Sequence, residues 1–206
     1  MEERDRVPSV GCLLYVADDQ LVAHRPSLHG IGIVKVPCKR RWVHSLRLEA
    51  TILAASYLGL RDSGHLRLTL EEVTDTAGWR RPRTTTEVSA LVIDAAPPPG
   101  MLRSVLKLAS ASGVPTSNSD LSKHLKDLRG RSYFSVLEAA KDELVELRYA
   151  EYRGVFFRPD SRRPATLDRT CADAIRWWRA VEATEAPLFK GLWAACWEAC
   201  KSEGGG

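Results

Sequence analysis

The stretch SLRLEATILAASYLGLRDSGHLRLTLEE, Ser45 to Glu72, decides how the rest of this chain is read. Over its first half Leu46, Ala50, Leu53, Tyr57 and Leu60 share one helical face, and Leu48, Ile52 and Leu58 widen it. A helix apolar over so much of its girth is normally buried. Asp62-Ser63-Gly64 ends it, glycine being free to take the left-handed backbone of a helix stop. The pattern then switches: leucines at 66, 68 and 70 alternate with polar residues, the period of a strand. TEVSALVID, Thr86 to Asp94, supplies a return strand. Ala77 to Thr85 therefore falls at the far end of a long hairpin, with Trp79, Arg80, Arg81 and Arg83 at its tip.

Toward the N-terminus, GCLLYVADDQLVAH (Gly11 to His24) reads either as a short hairpin or as a helical start. Ser27 to Pro37 is a connector holding the strand-like IGIVKV, and a basic cluster, Lys39-Arg40-Arg41-Trp42, follows. Toward the C-terminus, Ala95 to Gly100 stops the strand and Met101 to Ala111 is helical. Val114 to Asp120 is a polar loop ending in a helix cap. Tyr133 to Leu147 forms a helix, running into a hairpin at AEYRGVFFRP, a pairing like that of a winged helix. Leu167 to Ala183 and Ala186 to Lys201 are helices parted near Pro187, and Phe189, Leu192, Trp193, Cys196, Trp197 and Cys200 make an apolar stripe on the second. These elements predict one globular domain over residues 10–201, mainly α with peripheral β-hairpins. It has a helical core and a winged-helix-like helix–hairpin unit, with flexible termini at 1–9 and 202–206.

The bulk properties narrow the function classes. The 206 residues suffice for one good-sized core. A net charge of +4 with a pI near 8.9 is compatible with an anionic partner without demanding one. Much of the basic excess is arginine, whose planar fork suits phosphate. No apolar run approaches the roughly 20 residues of a membrane span. MEERDRVPSV opens with acids where a secretory leader wants a basic start. Five scattered cysteines, at 12, 38, 171, 196 and 200, argue against a disulfide framework. The expectation is a cytoplasmic protein, peripheral to the membrane where it meets one.

Catalytic patterns are thin. Cys196 and Cys200 lie one helical turn apart, but a metal would need two more ligands and the sequence pairs none with them, so core packing is the favoured reading. Cys38 and His44 lack an orienting partner for nucleophilic chemistry. Asp18-Asp19 and Glu71-Glu72 are adjacent pairs pointing to different sides, and no phosphate-cradling glycine pattern occurs. We therefore expect no enzyme activity, no cofactor and no metal. The two basic patches are the stronger signal. Each sets tryptophan beside several cations, a composition suited to the membrane interface. Each nearby Lys or Arg adds roughly 1 kcal/mol on an anionic leaflet. Solvated charge with the indole folded back locally is the plainer alternative for both patches.

The order of elements resembles the Golgi phosphoprotein three family and its bacterial relatives. The likeness is carried by Ser45 to Glu72, by Ala96-Pro97-Pro98-Pro99-Gly100-Met101-Leu102 after the hairpin, and by AAKDELVELRYAEYRGVFF further on. As an arrangement it spans roughly residues 10–200, and as residues only these stretches. The resemblance implies a helical core with peripheral hairpins. It also implies a peripheral membrane protein that binds a phosphoinositide headgroup and a protein tail, with a hairpin that aids membrane contact or self-association. It places a headgroup arginine at Arg47 and a pocket tryptophan at Trp42. Two further family arginines fall near Phe134 to Ala139, where this chain has none. Arg129 and Arg131 lie close by, out of register.

The leading expectation is thus an adaptor that recognises anionic lipid through Trp42, Arg47, Arg40, Arg41, Arg129 and Arg131, with the Trp79–Arg83 tip as membrane or partner hairpin. A nucleic-acid-binding winged helix is the alternative, with Tyr133–Leu147 as recognition helix. Glu138, Asp142, Glu143 and Glu146 on that helix surface, against Lys141, oppose it. A lipid-independent protein scaffold is the third reading.

Overall fold

The computed structural model describes residues 7–17, 33–35, 42–75, 83–96, 98, 100–111, 136–153, 156–159 and 164–201. Its centre is the helix decided by the opening stretch, α2 (Ser45–Asp62). Leu48, Ala50, Ile52, Leu53, Ala54, Ala55, Tyr57, Leu58 and Leu60 are all essentially without solvent exposure, as expected of a helix apolar on most sides. It is sheathed by α1 (Val10–Ala17), α3 (Met101–Ala111), α4 (Val136–Glu146) and α6 (Ala186–Lys201). The longest helix, α5 (Pro164–Thr184), packs on α1 and α6.

Of the two readings of the first apolar run, the helix is the one found over Val10–Ala17. Cys12, Leu13, Leu14, Tyr15 and Val16 are buried, so α1 is a core helix. A hairpin limb would expose alternate residues, whereas this segment meets α2, α5 and α4 on several sides. Pro8 is buried and Ser9 hydrogen-bonded, which brings both into the folded unit rather than the flexible terminus.

Among the described residues three two-stranded antiparallel ribbons lie around the helices. β1 (Ile33–Lys35) pairs with β2 (Trp42–His44), and β2 runs directly into α2. β3 (Leu66–Asp75) pairs with β4 (Arg83–Val92), Leu66 opposite Val92 and Asp75 opposite Arg83, so Arg83, Thr84 and Thr85, expected in the loop, belong to the paired strand. Only the half of this ribbon nearest the core is covered: Leu66, Leu68, Val88 and Ala90 are buried, Leu70 is already 38% exposed, and Glu71, Glu72 and Thr74 face solvent. Helix α6 sits against the covered half so closely that a Cβ on Gly191 would lie 2.9 Å from Val88 Cγ2. β5 (Ala150–Arg153) pairs with β6 (Phe156–Pro159) behind α4, the expected helix–hairpin unit.

Two helix ends share one stop geometry. At α2 the amide of His65 donates to Leu60 and that of Gly64 to Arg61, with Gly64 at φ 81°. At α4 Tyr149 donates to Leu144 and Arg148 to Val145, with Arg148 at φ 60°. Both are Schellman stops, but the second puts an arginine where glycine is preferred. The α5–α6 junction at Glu185 is braced from α2. Arg61 binds Glu185 at 2.5 Å and Asp62 at 2.8 Å, and Trp177 Nε1 donates to Asp62 at 3.0 Å. Trp178 meets Phe189 edge-on at 4.8 Å inside the same corner.

Candidate anion-binding site

Because β2 passes into α2 without a loop, the start of α2 lies beside the β1–β2 ribbon. The free amides of a helix start carry partial positive charge, which sequences usually answer with an acid in the first turn. Here that turn is Ser45-Leu46-Arg47-Leu48 and contains none. Arg47 adds a full positive charge at the same end. Its guanidinium lies over the Trp193 ring, 5.6 Å from the centroid. Trp193 is stacked on Trp197, 5.6 Å away and only 10° from parallel. Thr51 completes the joint: its hydroxyl donates to the Arg47 carbonyl at 2.9 Å and accepts from Trp193 Nε1 at 3.4 Å.

The geometry follows from the α6 stripe. Phe189, Leu192, Cys196 and Cys200 point into the core, which leaves Trp193 and Trp197 on the flank facing the start of α2, both half-buried. A cation over an indole gains roughly 0.5–1 kcal/mol where exposed. That aligns the guanidinium without neutralising it. Among the described residues no carboxylate pairs with Arg47. A guanidinium seated over an indole, at a helix start whose first turn holds no acid, is suited to a phosphate or carboxylate oxygen.

Of the ten residues expected to form the binding surface, Arg47 is the one whose side chain falls among those described. Trp42 opens β2 opposite Lys35, and Arg83 opens β4 opposite Asp75. Arg40, Arg41, Trp79, Arg80, Arg81, Arg129 and Arg131 lie outside the described residues, as does Cys38. Trp193 and Thr51 are the partners that sequence reasoning missed as site residues. Trp193 was legible only as part of an apolar stripe, although tryptophan at i and i+4 on one flank was the available signal. Cys196 and Cys200 are core residues, and no cluster of three potential metal ligands occurs among the described residues. No helix among them is long and apolar enough to cross a membrane.

Glu143 requires a correction. Expected as a surface charge on the supposed recognition helix, it is buried. One carboxylate oxygen accepts from the amide of Ser9 and the other from the amide of Met101, both at 2.5 Å. It thereby caps α1 and α3 together. Gly100, immediately before α3, holds φ 62°, and a Cβ there would overlap the Glu143 carboxylate. Beside it opens a groove of about 230 Å³ lined by Arg103, Asp142 and Glu146. The neighbouring Cys12 thiol is pushed well above its ordinary range, first by burial and then by the Glu143 charge. Burial, and then Cys200, does the same to Cys196. No protein-family model, curated protein or solved structure matches this chain.

Proposed function

We propose that this protein is a non-enzymatic adaptor that attaches to membranes by recognising anionic lipid headgroups. The observation that carries the reading is Arg47, half-buried, aligned over Trp193 and unanswered by any described carboxylate, in the acid-free first turn of α2. An oxygen-rich anion docked there meets the guanidinium and the helix amides together. Trp42, Arg40 and Arg41 lie in sequence just ahead of this turn, and Arg129 and Arg131 are further phosphate ligands in the proposal. The Trp79–Arg83 tip of the β3–β4 ribbon is the second point of attachment, to the same surface or to a protein partner. The resemblance to Golgi phosphoprotein three proteins supports a phosphoinositide as the headgroup.

The nucleic-acid reading is less favoured. Outward-facing Asp142 and Glu146 on α4 oppose a polyanion, and Lys141 is engaged with Glu138 at 2.5 Å.

Co-sedimentation with neutral and anionic vesicles tests the proposal on wild type, Arg47→Ala, and Trp79→Ala combined with Arg80, Arg81 and Arg83→Ser. A charged hydrogen bond is worth about 1.5–3 kcal/mol, so Arg47→Ala is expected to weaken anionic-vesicle binding by roughly 10- to 100-fold. Equal pelleting of all three proteins, or of none, removes the proposal. A salt-dependent duplex-DNA shift lost in the tip variant would favour nucleic acid instead.

A further inference from the structure

A two-stranded ribbon leaves each strand one edge with unused amides and carbonyls, and at β3 that strand is 10 residues long. The bond from the Ile93 amide to the His65 carbonyl, 2.9 Å, sets which groups are already spent. Bonded rungs of an antiparallel ladder recur at every second residue. Arg67, Thr69 and Glu71 therefore turn their main chain toward β4, and Leu66, Leu68, Leu70 and Glu72 turn theirs outward. Among the described residues no strand takes up those outward groups. The usual protections of an edge are missing: residues 66–75 hold no proline and no lysine, and they pair with β4 rung by rung without a bulge. Side chains alternate with the same period. Leu66, Leu68 and Leu70 lie on the face that meets the core, the last still 38% exposed, while Arg67, Thr69 and Glu71 stand exposed on the other. Arg67 forms no ion pair among the described residues. The charges on that outer face, Arg67 and Glu71, are thus opposite in sign and four residues apart, with Thr69 midway.

We infer that this edge pairs with its counterpart on a second copy of the chain, antiparallel and centred on Thr69, whether or not a membrane is bound. Two identical edges meeting antiparallel are related by a two-fold axis. Outward main-chain groups must meet outward groups, so the axis passes through a residue position and not between two. Centred on Thr69, Leu68 meets Leu70 of the second copy on the core-side face, which covers the exposed part of Leu70. On the other face Thr69 meets its own counterpart, and Arg67 meets Glu71 of the second copy on both sides of the axis. Threonine pairs and opposite charges are both favourable cross-strand neighbours. Shifting the axis to residue 67 or 71 sets two arginines or two glutamates face to face. Shifting it to 68 or 70 leaves Arg67 opposite Thr69 or Val73. Main-chain parity, charge and the leucine rung therefore agree on one register. The product is a four-stranded sheet with β3 of each copy at its centre, and an edge of this size supports a weak, reversible dimer.

Sedimentation equilibrium over a concentration series, without lipid, reads the association directly. Wild type is expected to move toward twice the monomer mass as concentration rises. Arg67→Glu sets like charges opposite each other on both outer rungs, and Glu71→Arg does the same with the other sign. Each is expected to weaken dimerisation at least about fivefold at low salt. The two changes combined restore opposite charges and are expected to return the affinity to within about twofold of wild type. Arg67 is exposed and unpaired, so Arg67→Glu leaves the monomer fold intact, checked by circular dichroism. In a Cys38→Ser background, Thr69→Cys is expected to crosslink two chains under oxidised glutathione, because the Cα atoms of that rung lie about 4.5 Å apart. Arg67→Cys in the same background stands about 14 Å from its counterpart and is expected not to crosslink. A monomer at every concentration overturns the inference, as does a dimer that neither single reversal weakens or that the combined variant fails to restore. Crosslinking through Arg67→Cys in place of Thr69→Cys overturns the register.

Discussion

The junction at Glu143 supports a quantitative test through a residue that makes no side-chain contact at all. Gly100→Ala adds one methyl group at φ 62°, where an L side chain costs about 1–2 kcal/mol. The methyl also lands on the Glu143 carboxylate, with Cδ 2.6 Å from the new Cβ. Glu143 cannot yield freely, because its two oxygens are held by Ser9 and Met101. Moving it strands one or both amides, at about 1–3 kcal/mol each when buried. The sum is a loss of about 2–8 kcal/mol. With a urea slope near 3 kcal/mol/M for a chain of this size, the midpoint falls by roughly 0.7–2.7 M. In a Glu143→Ala background the carboxylate is gone, and Gly100→Ala should cost only the backbone part, about 1–2 kcal/mol. Urea titration of wild type, the two single variants and the double variant closes the cycle. A Gly100→Ala protein within 1 kcal/mol of wild type would refute the packing argument. Strictly additive losses would refute the coupling through Glu143.

Three further outcomes follow from the same core. Gly11→Ala would place its Cβ 2.7 Å from both Met101 Cε and Ser56 Oγ and 3.0 Å from the Ile52 carbonyl; overpacking there should cost about 1–3 kcal/mol, read as a melting point lower by about 2–12 °C. Arg148→Gly removes the left-handed strain at the α4 stop, and should raise stability by about 1 kcal/mol in the same titration. The Tyr57 hydroxyl is buried without a hydrogen-bond partner, and burial, then Cys196, raises its ionisation far above the ordinary phenol range. Its folded state therefore stays protonated while the unfolded chain ionises from about pH 10. Wild-type stability is intact below that pH and falls above it by about 1.4 kcal/mol per pH unit from this group. Tyr57→Phe should show neither that part of the alkaline decline nor a loss at neutral pH, checked by urea midpoints at pH 7, 9 and 11.

How far the sequence was legible depended on whether a residue's role is local. The extent of α2, the stop at Gly64, the β3–β4 pairing and the α5–α6 break were all readable, because periodicity and glycine act within a few residues. The helical nature of α1 was ambiguous, since a short run apolar on every side has no period to measure. Arg148 gave no signal because the α4 stop is enforced by Leu144 and Tyr149 packing inward, not by the residue in the strained position. Glu143 looked like its acidic neighbours on α4. What sets it apart is two amides 134 and 42 residues away, which no window along the chain contains. Arg47 was reached through family likeness, yet the indole that orients it comes from 146 residues further on.

Set side by side, these two charged residues show what distinguishes the start of α2. The first amides of a helix have no partner within the helix. The starts of α1 and α3 are answered by the two oxygens of one internal carboxylate. At α2 the first turn holds no acid, and the charged side chain present there is a cation, unfavourable by about 0.3–1 kcal/mol at that end of a helix. Its contact with Trp193 offsets a similar amount, about 0.5–1 kcal/mol. The balance is close to neutral for folding. Arg47 is therefore weakly accounted for as a stabilising residue, and an anion arriving at this end would relieve the charge that folding leaves in place.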